Sequence, residues 1–281
     1  MRKVYDGNPS LGLSFLYNTY IGRLLLKPLV NYPFFSVMMG RLMDSKVSSF
    51  LIKPFIYFNK IDMGIYEDTK YKSFNDFFIR KIKEEKRVII KEDDAFISPC
   101  DAKLTCYKIK SDLVFTVKHT NYSVSSIIRD NELAKSFEGG YALVFRLSPD
   151  DYHRYCFIDD GKIIKNYEIK GLFHTVNPVS YDKFKVFKEN VRECTMLDTK
   201  NYGKLMYVEV GALLVGRIHN HKKSGRFKRA EEKGYFMYGG STIVILVQKN
   251  KVLIDQELIL NANKGLETYV KYGEKIGKKP E

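Results

Sequence analysis

The chain has 281 residues, 44% of them hydrophobic, and a formal net charge of +14. That length admits one large domain or two modest ones with a real core, and the apolar content excludes a disordered chain. A balance this basic points to an acidic partner, nucleic acid or an anionic membrane surface, and does not choose between them. The four cysteines, Cys100, Cys106, Cys156 and Cys194, have no CxxC spacing, so they read as reduced thiols in a cytosolic setting rather than as a zinc or thioredoxin-like motif. No apolar block follows Met1-Arg2-Lys3, so no signal peptide is expected, and no run of 18 apolar residues predicts a spanning helix.

Up to about residue 95 the text is helical. Leu13 to Val30 reads as one amphipathic helix ending near Pro28, and Phe34 to Met43 as a second. Ser73 to Lys83 reads as a third, with Ser73 as N-cap and Asp76 at the capping-box position. Two readings stand side by side. In one, the helices lie in a membrane interface, apolar side chains inward and cations at the headgroups. In the other they form a cap on the core with a solvated basic rim. After residue 95, short β-rich runs dominate: Tyr141–Leu147, Leu205–Val210, Ala212–Ile218 and Thr242–Val247, interrupted by one helix at about Val124 to Phe137. The expected class is α+β, a helical N-terminal part (1–94) followed by a mostly antiparallel β core (95–281).

Three polar sites stand out. Ser98-Pro99-Cys100-Asp101 presents Asp101 just before a strand, and Asp151-Tyr152-His153-Arg154 places His153 just after one. Gly239-Gly240-Ser241-Thr242 puts a serine between a small flexible pair and a β-branched run. Asp, His and Ser are the ingredients of an activated nucleophile, although any chain of this size carries them in loops. Without a Cβ at Gly240, its carbonyl is open to attack by the Ser241 hydroxyl.

These segments, in order, resemble the phosphatidylserine decarboxylases. The resemblance also rests on Phe74-Asn75-Asp76-Phe77-Phe78-Ile79-Arg80, Phe173-His174-Thr175-Val176-Asn177-Pro178, Asn190-Val191-Arg192-Glu193, Glu209-Val210-Gly211-Ala212 and Lys233-Gly234-Tyr235-Phe236, and so spans residues 74 to 242. It implies a self-processing lyase. Ser241 would cleave the Gly240–Ser241 bond, giving a β chain 1–240 and an α chain 241–281 that stay associated. The former serine would become a pyruvoyl group, the only cofactor. That group would form a Schiff base with phosphatidylserine and act as electron sink while CO₂ leaves. Phosphatidylserine in an anionic membrane is then the expected partner, the cytoplasmic face of the cell membrane the expected location, and a homo-oligomer is allowed.

One departure matters. The family usually carries Asp-Tyr-His-Arg-x-His, and its second histidine serves the charge relay. Here that position is Cys156. His153 is the expected replacement base with Asp101 holding it. Cys156 would be a poorer base, since a thiol is mostly protonated at neutral pH, and His174 is a further imidazole. An inactive lipid-binding member and a basic nucleic-acid-binding protein are the alternatives, the second accounting for the charge but not for the ordered motifs. No metal is expected, His219 and His221 reading as loop histidines without a neighbouring carboxylate. The loop Lys222 to Arg229 reads as a solvated basic face or a membrane tether.

Overall fold

The computed structural model describes residues 2–5, 11–31, 33–87, 89–117, 120–180, 184–212, 217–239 and 241–280. Among them a nine-stranded antiparallel sheet runs in the order Val4–Tyr5, Glu267–Val270, Ala102–Lys108, Tyr141–Leu147, Ser241–Val247, Gly203–Gly211, Arg192–Thr199, Gly161–Ile169 and Gly225–Phe227. The Ser241–Val247 strand is central. It pairs with Tyr141–Leu147 on one side and Gly203–Gly211 on the other. Its seven residues are all buried, because both faces of the sheet are covered. That explains a continuous β-branched run without polar alternation. Ile243, Ile245 and Val247 face a cluster with Phe145, Tyr207 and Phe157, while Val244 and Leu246 face another with Phe115, Phe137 and Met206. Each such aliphatic burial stabilises by about 1.5–3 kcal/mol, so a charged residue at Val244 would break the sheet at its centre. A small sheet, in which Glu232–Phe236 pairs with both Ile218–Asn220 and Arg154–Cys156, covers the first face.

Most of the helical residues lie in the N-terminal part, with short helices in the β core and one at Gln256–Asn263. The expected Leu13–Val30 helix is two, α1 (Leu11–Asn18) and α2 (Tyr20–Asn31), and Pro28 lies inside α2 rather than ending it. The interruption falls at Thr19, whose hydroxyl bonds back to the Phe15 carbonyl (2.9 Å). Helix α3 (Pro33–Asp44) matches the reading, and α4 (Ile52–Asn59) follows. Helix α5 is only Phe74–Phe78, shorter than expected; Ser73 caps it through Asp76 N–H (3.1 Å), and Ile79 leaves helical geometry. Likewise the Val124–Phe137 helix is two short ones, parted where Arg129 turns left-handed (φ 52°) and Asp130 caps anew through Leu133 N–H. Of the expected Ala212–Ile218 strand, 213–216 lie outside the described residues, and the strand that follows is Ile218–Asn220.

Candidate active site

Ser241 opens the central strand, opposite Leu147 and Gly211. Only 1% of it is exposed, and its Oγ makes no hydrogen bond among the described residues. A buried hydroxyl without a partner costs free energy, so its presence asks for a function. Two residues earlier, Gly239 has φ 137°, a conformation that a side chain would strain. Gly240, the expected carbonyl donor of the cut bond, lies outside the described residues.

His153 leaves the turn after the Tyr141–Leu147 strand. Ser148 and Asp151 close that turn, with Lys103 Nζ bonded to both (2.9 Å each). The ring is fully buried and packs on Phe78 at 4.1 Å between centroids. Its Nδ1 lies 2.9 Å from the Asp151 carbonyl, which can only accept. Nδ1 therefore carries the proton and Nε2 holds the lone pair. Nε2 has no hydrogen-bond partner among the described residues. The carbonyl of His153 accepts from Phe236 N–H (3.0 Å), pinning it to the segment that runs on to Gly239. Burial first, then the charge of Arg80, pull the imidazole down to about 3, while the backbones of Asp151 and Gly239 oppose the shift.

Asp101 and Cys156 form a second cluster. Asp101 takes a bidentate ion pair from Arg87 (2.7 and 3.0 Å) and a bond from the Tyr272 backbone N–H (2.8 Å). Arg87 in turn lies over the rings of Tyr152 and Tyr272. Cys156 is fully buried, its backbone N–H bonded to the Pro99 carbonyl. Burial pushes its thiol up to about 12, against a hydrogen bond with the Tyr272 side chain. Tyr272 thus joins Asp101 to Cys156, whereas His153 gathers with Phe78 and the Gly239 backbone. The Asp101 carboxylate is engaged by Arg87 and Tyr272 instead of the His153 ring, and the orienting group of His153 is a backbone carbonyl. Neither Arg87 nor Tyr272 carries a motif signal in the sequence; only the fold shows their part.

The remaining histidines sit elsewhere. His174 stacks on Phe184 (4.0 Å) beside α2, and burial lowers it to about 4. Its backbone is tied through Asn190 to the carbonyl of Gly211, opposite Ser241. His221, expected to lack a carboxylate, has Glu232 at 2.6 Å, since strand pairing brings residues 11 apart together. No group of three potential metal ligands occurs among the described residues.

Residues 74–278 match the family model of phosphatidylserine decarboxylase. The chain is 47% identical to the phosphatidylserine decarboxylase proenzyme 2 of Clostridium acetobutylicum, over 94% of this chain and 91% of that one. It is 39% identical to the proenzyme of Ruminiclostridium cellulolyticum over 98% and 94% of the two chains, and 37% identical to that of Clostridium novyi over 99% and 97%. The chain belongs to the phosphatidylserine decarboxylase family. Decarboxylation of phosphatidylserine, a carboxy-lyase reaction, is therefore the activity of this chain's family.

Proposed function

We propose that this protein is a pyruvoyl-dependent carboxy-lyase that converts phosphatidylserine to phosphatidylethanolamine at a membrane surface, after Ser241 has cut its own Gly240–Ser241 linkage. The observation that carries the reading is the pair of buried, unpartnered atoms Ser241 Oγ and His153 Nε2, both beside Gly239. Nε2 takes the hydroxyl proton as Oγ attacks the Gly240 carbonyl, and returns it to the leaving nitrogen. The resulting ester is broken by elimination, which frees the carboxyl end at Gly240. The remaining dehydroalanine takes up water and loses ammonia. Residues 1–240 and 241–281 remain joined through the strand pairing of Ser241–Val247 with both neighbours. A base this weak makes maturation slow, which a once-per-chain reaction tolerates. A thiol near 12 is a worse candidate, so Cys156 fills the relay position without serving as base. Asp101 supports the neighbouring wall through Arg87 and Tyr272.

The buried serine hydroxyl, with glycine before it, fits a group made from the chain itself. That ketoacid supplies an electrophilic carbonyl and an electron sink for CO₂ loss. His153 then faces the reacting carbon and can hand it a proton.

Residues 1–94 serve as the membrane-facing part. Tyr20, Ile21, Leu24, Leu25, Phe34, Tyr57 and Phe58 are each more than half exposed, and Arg23, Lys27, Arg41, Lys53 and Lys60 are exposed on the same helices. No helix among the described residues is long and apolar enough to cross a membrane, and these helices suit shallow insertion. The basic loop 222–229 stands by Gly161–Ile163, at the opposite end of the strands from Ser241, so it is a poor tether for a site that must face lipid. Intact mass of freshly purified protein tests the reading: two fragments, 1–240 and 241–281, with the second blocked at its N-terminus. A folded chain that stays whole and releases no CO₂ from phosphatidylserine would leave a lipid-binding protein only.

A further inference from the structure

Arg80 is the least satisfied cation of the protein. It is 1% exposed, yet no carboxylate lies within ion-pair distance among the described residues. Its Nη2 makes two long bonds, to Tyr66 Oη (3.3 Å) and the Asp150 carbonyl (3.4 Å), while Nε and Nη1 have no partner. The guanidinium carbon lies over the rings of Tyr66 and Phe77, at 4.5 and 4.8 Å from their centroids. Burying an arginine with two open N–H groups and no counter-charge costs several kcal/mol, which folding alone does not repay. The ring faces hold the fork, leaving Nε–H on one side and the Nη1 edge on the other without acceptors among the described residues.

The open edge belongs to the active site. Arg80 and His153 bond to consecutive carbonyls of one turn, Asp150 and Asp151. Phe78, two residues before Arg80, carries the His153 ring. With Ser241 still a serine, Ser241 Oγ, His153 Nε2, Arg80 Nε and Arg80 Nη1 are all sealed from solvent and have no hydrogen-bond partner among the described residues. We propose that Arg80 is the seat of the substrate's phosphodiester, its Nη1–H donating to a phosphate oxygen after self-cleavage. This rests on the aminophospholipid reading above. Phosphatidylserine offers two anions, and the chemistry chooses between them. An ion pair on the carboxylate would stabilise the ground state of the group whose charge must leave, raising the barrier to CO₂ loss. The phosphodiester keeps its charge throughout and so is the anchor that does not oppose the reaction.

The test uses full-length, self-cleaved enzyme and water-soluble dihexanoyl lipids. CO₂ release by the parent from dihexanoyl phosphatidylserine is measured first; its absence refutes the activity and not the assignment of Arg80. In Arg80→Lys and Arg80→Gln we expect self-cleavage to run to completion, KM raised at least tenfold with kcat within threefold, and an equal weakening of inhibition by dihexanoyl phosphatidylethanolamine, which lacks the carboxylate. In the parent, glycerophosphoethanolamine should inhibit at least tenfold better than ethanolamine, a comparison that needs no variant to fold. An unchanged inhibition constant for the phosphatidylethanolamine beside a raised KM would make Arg80 a carboxylate reader and overturn the proposal. Equal inhibition by the two soluble amines, unchanged kinetics in both variants, or folded variants that no longer self-cleave would overturn it as well.

Discussion

The two halves of this protein treat apolar surface in opposite ways. Of the seventeen large hydrophobic side chains exposed among the described residues, thirteen lie between Phe15 and Phe58. The β core buries not only its aliphatics but a complete ion pair, Glu209–Lys233, at 0% exposure on both sides. Lys233 also bonds Asn220 (2.7 Å) within a cage of Tyr155, Phe157 and Tyr207. Water solvates neither arrangement well. The first would be stabilised by a lipid cover, and the second is held by its own counter-charge. On the proposed reading, the difference means that one part meets a bilayer and the other keeps water from a reactive bond.

The largest effect should come from the core. His153→Ala should slow self-cleavage by about 10²–10⁴-fold, the usual worth of a positioned base. Cys156→Ser should leave it within threefold, both rates being read on denaturing gels. Should His153→Ala mature fully, the base lies elsewhere in the site. Next is Glu209→Gln, which strands the Lys233 charge and should cost about 3–5 kcal/mol in denaturant unfolding. Burial already raises the Glu209 carboxyl, so a nearly silent variant would mean that Lys233 finds other partners.

On the helical side, Leu24→Glu with Leu25→Glu removes two exposed leucines worth about 1.5–3 kcal/mol each on insertion. Binding to phosphatidylserine vesicles should fall at least 100-fold, with self-cleavage in solution unchanged. Binding that survives this change but vanishes in high salt would shift the docking face to the basic loop. The smallest effect is in pH. Folding holds His153 and His174 neutral, at about 3 and about 4, so the unfolded chain takes up protons first. Stability is full above pH 6.5 and declines as pH falls from there towards those values, by about 1.4 kcal/mol per pH unit for each ring. His153→Phe should flatten that slope by about half in denaturant titrations at pH 7 and pH 5.

Much of this was legible in the residues. The Tyr141–Leu147 strand follows from a short apolar run bounded by turn residues and the strand after Gly240 from dense β-branching, and the class follows from where helices give way to strands. Helix ends were harder. The breaks at Thr19, Ile79 and Arg129 come from a back-bonded hydroxyl, a turn into the core and a left-handed residue, none of which disturbs the hydrophobic period. In the site, Ser241 and His153 could be named from their motifs. Their company could not: Arg87 and Tyr272 carry no motif and are brought in by pairing across the fold, and Arg80, although part of the Phe74–Arg80 motif, comes near His153 only through the turn at Asp150. Asp101 shows the limit best, since its carboxylate is claimed by an arginine 14 residues earlier instead of by a histidine.

The most direct measurement is intact mass over time for the freshly folded protein beside Ser241→Ala. The account predicts that the parent converts to fragments 1–240 and 241–281, the smaller one lighter than its sequence by the mass of one ammonia, while Ser241→Ala stays at full length and still binds vesicles. A Ser241→Ala chain that divides at the same place, or a well-folded parent that never divides, would contradict it.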